Sequence, residues 1–433
     1  MRRSVLAFSS FPLLLCFFAL SMPGCAQDYS LTLLPTLGGK LTRASAINEG
    51  GQIAGQSDTT TDNGPFLWSR TGGMQNLGSL GWSQGSAYAL NASAEVVGYS
   101  FVCACQEVAF VWSSATGMEN ISLSGQLASS AYGINDSGDV VGIYIDQEQK
   151  GHGFLWTQLE GMQDLESLGC VGCLATAINN SGKVIGTLPQ PDGSSHAFAW
   201  RQGSAVRDLG TLGGPNSTPH AINKAGQIAG MSDTASGVQH AFLWTAAGGM
   251  QDLGTLPGTT YSWANAIDNS GRIVGSSWTP GVKNGGYPFS WTQVDGMSQL
   301  GPLKPINISS ADGVNLAGLI ILSAYRYDIG YSSYLMTPLM ITTLTSSLNP
   351  AVAGEPVTFT ADVSSVTQGP PPDGETVTFT KGEKVIGTGT LRGGMARFTT
   401  SSLNATSDIR GVYLGDSNYA SSRSAPVIQV VVK

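Results

Sequence analysis

The sequence predicts an all-β protein: a seven-bladed β-propeller closed by its N-terminal strand, followed by an immunoglobulin-like β-sandwich. Three observations predict it. Tryptophans recur at Trp68, Trp112, Trp156, Trp200, Trp244 and Trp291, with four gaps of 44 residues and one of 47. Glycines closing "IAG", "VVG" or "VIG", with looser matches at the end, keep a similar spacing at Gly55, Gly98, Gly142, Gly186, Gly230, Gly275 and Gly318. Only 12% of the 433 residues are charged while Gly numbers 57, a balance that suits short strands and tight turns. A period in this range marks a solenoid, a propeller or an array.

Each element follows from the repeating unit. The fourth unit reads "ATAIN", "KVIGTL", "HAFAW" and "AVRDLGTL". All four pieces are strand-length, rich in β-branched and aromatic residues, and too short for a helix of 3.6-residue period. Between the first two lies "NNSG", where Asn accepts from its own backbone and Gly supplies a positive φ. Four antiparallel strands per unit make one propeller blade. The seventh unit is degenerate, with "YLM" at 334–336 in place of "FLW" and no fourth strand of its own. "YSLTLLPTLGG" at 29–39 matches the missing strand. The N-terminal strand is therefore expected to complete the last blade and remove its open edge. The recurring Phe-x-Trp is expected to face the neighbouring blade, since a buried aromatic withdraws about 150–250 Å² from water.

From about residue 341 the period stops. "EPVTFTADVSS", "ETVTFTKGEKVIGTGTL" and "MARFTTSSL" alternate as sandwich strands do. No Cys lies in this part, so its core is expected to hold without an inter-sheet disulfide. Tyr413 is a candidate corner tyrosine whose hydroxyl would bond the backbone. The first residues, "MRRSVLAFSSFPLLLCFFALSMPGCAQ", read as a secretory signal peptide cut after Ala26. A second reading makes Cys25 a lipid-modified first residue, for which Met22 and Pro23 fit the lipobox poorly. The expected organisation is a signal peptide at 1–26, a propeller at 27–340 and an Ig-like domain at 341–433. No later stretch has the roughly 20 apolar residues of a membrane span. A net charge of −8 leaves no basic stripe for nucleic acid.

The pattern "HAFLW…GGMQDLGTL…AIN…GQIAG" resembles the bacterial HAF-repeat family of extracellular proteins, over about residues 29–340. That resemblance implies secretion and a repeat architecture, and supplies no catalytic residues. "YLGDSNYASS" at 413–422 resembles bacterial Ig-like repeat domains of surface proteins, which implies a spacer or adhesive module.

Candidate functional residues are few. His152, His196 and His240 keep the 44-residue phase, so they are expected to sit one blade apart in structural roles, as are Asp164, Asp208 and Asp252. His220 reads as out of phase, in a loop, and is a ligand candidate. Cys103 and Cys105, and Cys170 and Cys173, are disulfide candidates within or between pairs, since exported thiols are normally oxidised. Trp82, Trp263 and Trp278 fall outside the tryptophan phase and read as long-loop residues, accompanied by Tyr261 and Tyr287. Trp263 and Trp278 are the two expected to lie close together. Exposed aromatics on a rigid platform suit sugar rings or protein loops; the other reading is that they pack down as loop plugs. No catalytic set, metal site or cofactor motif stands out. The expected function is non-enzymatic binding of a glycan or a surface protein outside the cytoplasm. The alternatives are a polysaccharide hydrolase or lyase and a structural envelope or matrix protein.

Overall fold

The computed structural model describes residues 29–432 except 282–285, 302–306, 327–329, 366–368, 383 and 417. The signal-peptide and Cys25 readings lie outside the described residues. Within them the chain is all strand and turn, with no helix.

Seven four-stranded antiparallel sheets come first. Six are built in simple chain order, as in Thr42–Ile47, Ile53–Asp58, Asn63–Ser69 and Gly73–Asn76. Their first strands are Thr42–Ile47, Gly85–Leu90, Ala128–Ile134, Leu174–Ile178, Gly213–Ile222 and Tyr261–Ile267. The seventh sheet joins Ile308–Val314, Ile320–Arg326 and Gly330–Pro338 to Tyr29–Leu33. In that pairing Tyr29 lies opposite Pro338 and Leu33 opposite Tyr334. Consecutive first strands touch, and that of the seventh sheet touches that of the first.

The Phe-x-Trp repeat explains the packing. Phe66, Phe110, Phe154, Phe198, Phe242 and Phe289 are fully buried, and the in-phase indoles are buried too apart from half-buried Trp156. Alternation then puts Leu67, Leu155 or Leu243 on the opposite face, against the next sheet. One apolar cluster fills each junction. At the junction of the seventh and first sheets it gathers Phe66 and Trp68 with Leu319, Ile321 and Leu335.

Two glycine positions have separate causes. Gly55, Gly98, Gly142, Gly186, Gly230 and Gly275 each lie beneath a carbonyl of the first strand, so that a Cβ would stand only 1.9–2.1 Å from its oxygen. A β-bulge in every first strand brings the backbone that close. Gly318 does not belong to this set. It has φ +68° and closes the turn after Asn315, as Gly51 does after Asn48. Leu322, opposite Ala311, holds the register that Gly55 holds opposite Ala44.

The turn residue Asn organises the inner end of each sheet. Asn48 Oδ1 accepts from the Gln52 N–H across its own turn, and its Nδ2 donates to the Asn91 carbonyl of the next sheet (2.9 Å). The inter-sheet bond recurs at Asn91, Asn135, Asn179 and Asn223, and from Asn315 back to Asn48. Asp268 occupies the sixth turn, and its carboxylate has no N–H to donate to the seventh. A cavity of about 290 Å³ at this end is lined by residues from all seven sheets.

After Leu339 the chain enters a sandwich. Met340–Ser346, Val357–Ser365 and Met395–Thr400 form one sheet, facing another built on Thr376–Lys381 and Ser407–Tyr413. Val357, Phe359, Val377, Phe379 and Ile409 fill its core without a disulfide. The Tyr413 hydroxyl donates to Glu375 Oε2 rather than to backbone, because the carboxylate is the stronger acceptor in reach. Asn418 of this sandwich donates to the Glu49 carbonyl (3.0 Å) and accepts from Asn315 Nδ2 (3.3 Å), so the sandwich sits on the turn end of the seven sheets.

Candidate binding site

The opposite end carries the second-to-third connections and the links between sheets. Three in-phase His–Asp pairs brace it. His196 Nδ1 lies 2.8 Å from Asp208 and His240 Nδ1 2.9 Å from Asp252; His152 lies 3.4 Å from Asp164 and 2.8 Å from Asp146. Each fourth-strand Asp also accepts a backbone N–H two residues on, at Glu166, Gly210 and Gly254. The motif's His and Asp thus tie the third strand to the fourth and to the departing chain.

His220 departs from the sequence reading. It lies within the strand Gly213–Ile222, three residues before Asn223, and is in phase. Its Nδ1 is 2.8 Å from the Ala264 carbonyl, which can only accept, so that nitrogen carries the hydrogen. Burial holds its imidazole below the usual histidine range, against the smaller opposing pull of that carbonyl. The same register holds Ser45, Tyr88, Tyr132, Thr176, Asn265 and Asp312. All seven are the extra residue of the first-strand bulge, and all are half-buried while their preceding neighbours are buried. Thr176, His220 and Asn265 each bond a carbonyl of the following sheet, and Tyr88 stacks on Tyr132 at 5.2 Å. Sequence reasoning missed this ring because it sought constancy. The available signal was a position of changing chemistry inside a loosely kept frame, from ASAIN at 44–48 and ATAIN at 175–179 to ADGVN at 311–315.

Four of the five aromatics, Tyr261, Trp263, Trp278 and Tyr287, are also strand residues, not loop residues. Tyr261 and Trp263 open the first strand of the sixth sheet, and Trp278 ends the second. Trp263 lies opposite Ser276 and Tyr261 opposite Trp278, at the loop end of this strand pair. Trp263 and Trp278 meet edge to face, with centroids 4.6 Å apart and planes at 81°; Tyr261 stacks on Trp278 at 5.7 Å. Tyr287 is in the third strand, in the register that His196 and His240 hold, with Gln299 rather than Asp opposite the following Phe289. It is 40% exposed and stands outside the pocket lining. Trp82 alone is in a connection, 45% exposed, and is not brought to the other tryptophans.

Trp263 and Trp278 line a pocket of about 620 Å³ between the sixth and seventh sheets. Its polar groups include Asn265, Ser310 and Asp312, beside the hydroxyls of Ser276, Thr279 and Ser309. Burial pushes the Asp312 carboxyl up, and the hydroxyls of Ser310 and Ser323 pull it the other way. No cluster of three or more His, Cys, Asp or Glu side chains forms among the described residues. Cys170 and Cys173 are joined as a disulfide within their pair, buried between the third and fourth sheets. Cys103 and Cys105 are thiols on a second-to-third connection, with their sulfurs 2.8 Å apart.

No helix of the described residues is long and apolar enough to cross a membrane. Comparison with curated proteins finds no match. Among solved structures the chain is similar to TolB from Acinetobacter baumannii, at 10% identity and a TM-score of 0.38, over 72% of this chain and 80% of that one. It is similar also to a gluconolactonase from Xanthomonas campestris, at 10% identity and TM-score 0.34, over 71% and 89%. A third is an arginine-to-alanine triple mutant of AofleA from Arthrobotrys oligospora, at 11% identity and TM-score 0.30, over 87% and 94%. Residues 344–432 match the family model for the bacterial Ig-like domain (group 3), and the C-terminal sandwich is a bacterial Ig-like domain.

Proposed function

We propose that this is an exported, non-enzymatic binding protein that holds a glycan at the loop end of a closed seven-bladed propeller of HAF-repeat type. In this reading residues 1–26 are a signal peptide, 27–340 the propeller and 341–433 an Ig-like spacer at the cell surface or beyond. Closure is supported by the pairing of Tyr29–Leu33 with Gly330–Pro338, by the contact of the first and seventh sheets, and by the bond from Asn315 to Asn48. An Ig-like domain docked at the turn end favours the loop end as the presented face.

One observation carries the ligand class: two indoles at right angles on a 620 Å³ pocket that also offers amide, hydroxyl and carboxyl groups. Aromatic faces cover the apolar side of a pyranose, and a few placed polar groups then orient it. The test is binding of the secreted protein to a glycan and polysaccharide panel, beside a Trp263→Ala/Trp278→Ala double variant. Binding that the variant loses is expected. Binding retained by the variant moves the site elsewhere, and capture of a surface protein in place of any glycan replaces the ligand class.

A further inference from the structure

The pocket exists because of two short side chains. Where the second and third sheets set Tyr88 against Tyr132 in the bulge register, the sixth and seventh set Asn265 and Asp312. The polar groups there form a chain with one open end. Asn265 Nδ2 donates to the Ala311 carbonyl (3.0 Å) and to Ser310 Oγ (2.9 Å). Ser310 Oγ in turn donates to Asp312 Oδ1 (2.6 Å). Asp312 Oδ2 is buried and no donor meets it at hydrogen-bonding geometry among the described residues, the Ser323 hydroxyl being the nearby group that acts on the same carboxyl. The Trp263 indole N–H is already engaged by Gln239 (3.2 Å), so its ring meets the pocket as a π surface and not as a donor. Among the described residues Asp312 is the only ionisable side chain of the lining.

A buried carboxylate oxygen without a donor, beside two indole faces, is complementary to a cation that carries N–H groups. A quaternary ammonium would satisfy the rings but leave Oδ2 without a donor. An N-acetylated amine brings one N–H, no charge and added bulk. We propose that the pocket binds the primary ammonium of an amino-sugar residue, with the ammonium on Asp312 Oδ2 and the sugar ring against the indoles. This rests on the glycan reading above and narrows it to cationic glycans. The desolvation that raises the Asp312 carboxyl when the pocket is empty is offset by the incoming positive charge.

The test is titration calorimetry of the full secreted chain with three tetrasaccharides: fully deacetylated chitotetraose, its N-acetylated form, and cellotetraose. The deacetylated ligand is expected to bind, and the other two to bind at least about thirtyfold more weakly. Asp312→Asn keeps the shape and is expected to lose a similar factor for the deacetylated ligand alone. Should that variant fail to fold, the ligand series on the unaltered chain still decides. Equal affinity for all three sugars, or no effect of a folded Asp312→Asn variant, overturns the ammonium assignment and leaves the glycan reading standing. Absence of binding by all three overturns the assignment as well, and the glycan reading then stands or falls on the wider panel and the double tryptophan variant.

Discussion

The two ends of the repeat teach different lessons. At the turn end each sheet does nearly the same thing: an Asn bridges its own turn, bonds the next sheet and is followed by a left-handed residue. At the loop end the same register passes through Ser45, Tyr88, Tyr132, Thr176, His220, Asn265 and Asp312. Constancy at one end holds seven sheets in a fixed relation, and that frees the other end to change residue by residue without loss of fold. The bulge is the device that separates them. It places one residue per sheet outside the strand's regular alternation, so its chemistry can vary while Ala and Ile beside it keep the core.

The comparison is sharpened first by a core truncation. Phe242→Ala should cost about 3–5 kcal/mol in urea unfolding, since the ring is wholly buried between sheets. Trp278→Ala, on the pocket side, should cost clearly less; equal losses would break the division into frame and presented face. The second test is pH. His220 has a depressed pKa in the folded chain, so the unfolded chain takes up a proton first. Stability is then full above the unfolded value of about 6.5 and is lost as pH falls through it, by at most about 1.4 kcal/mol per unit. His220→Asn copies the neighbouring Asn265, which donates to the next sheet in the same way, and should flatten the loss between pH 7 and 5 in thermal melts. An unchanged slope would assign the pH response to other groups. Third, Asp268→Asn should supply the missing donor toward the seventh sheet and raise stability by about 1 kcal/mol. Smallest is Ala94→Gly. Ala94 sits at φ +62° where the other turns have Gly, and the exchange should gain about 0.5–1 kcal/mol in the same unfolding assay.

The frame is legible in the sequence because burial recurs with the period. Phe-x-Trp and the Asn turn must appear in each copy, or one junction is left unfilled. Even the degenerate copy shows itself, since Tyr334 and Met336 stand where Phe and Trp stand elsewhere. The misreading of Gly318 has a physical origin. A turn glycine and a close-approach glycine look alike as letters, and only the bulge and the register separate φ from crowding. Half of the candidate site is legible: Trp263 and Trp278 stand out because they break phase. The other half is not. Asn265, Ser310 and Asp312 sit in strands with ordinary letters, and their convergence depends on which sheets are neighbours and on a bulge no periodicity reveals.

The register between Tyr29 and Pro338 has a consequence for attachment. Both residues lie at the turn end, one where the repeat region is entered and one where it is left. A tether acting on the segment before Tyr29 and one acting through the Ig-like domain therefore load the same corner of the molecule. Anchored from either direction, the protein would turn its aromatic pocket outward, away from the surface that holds it.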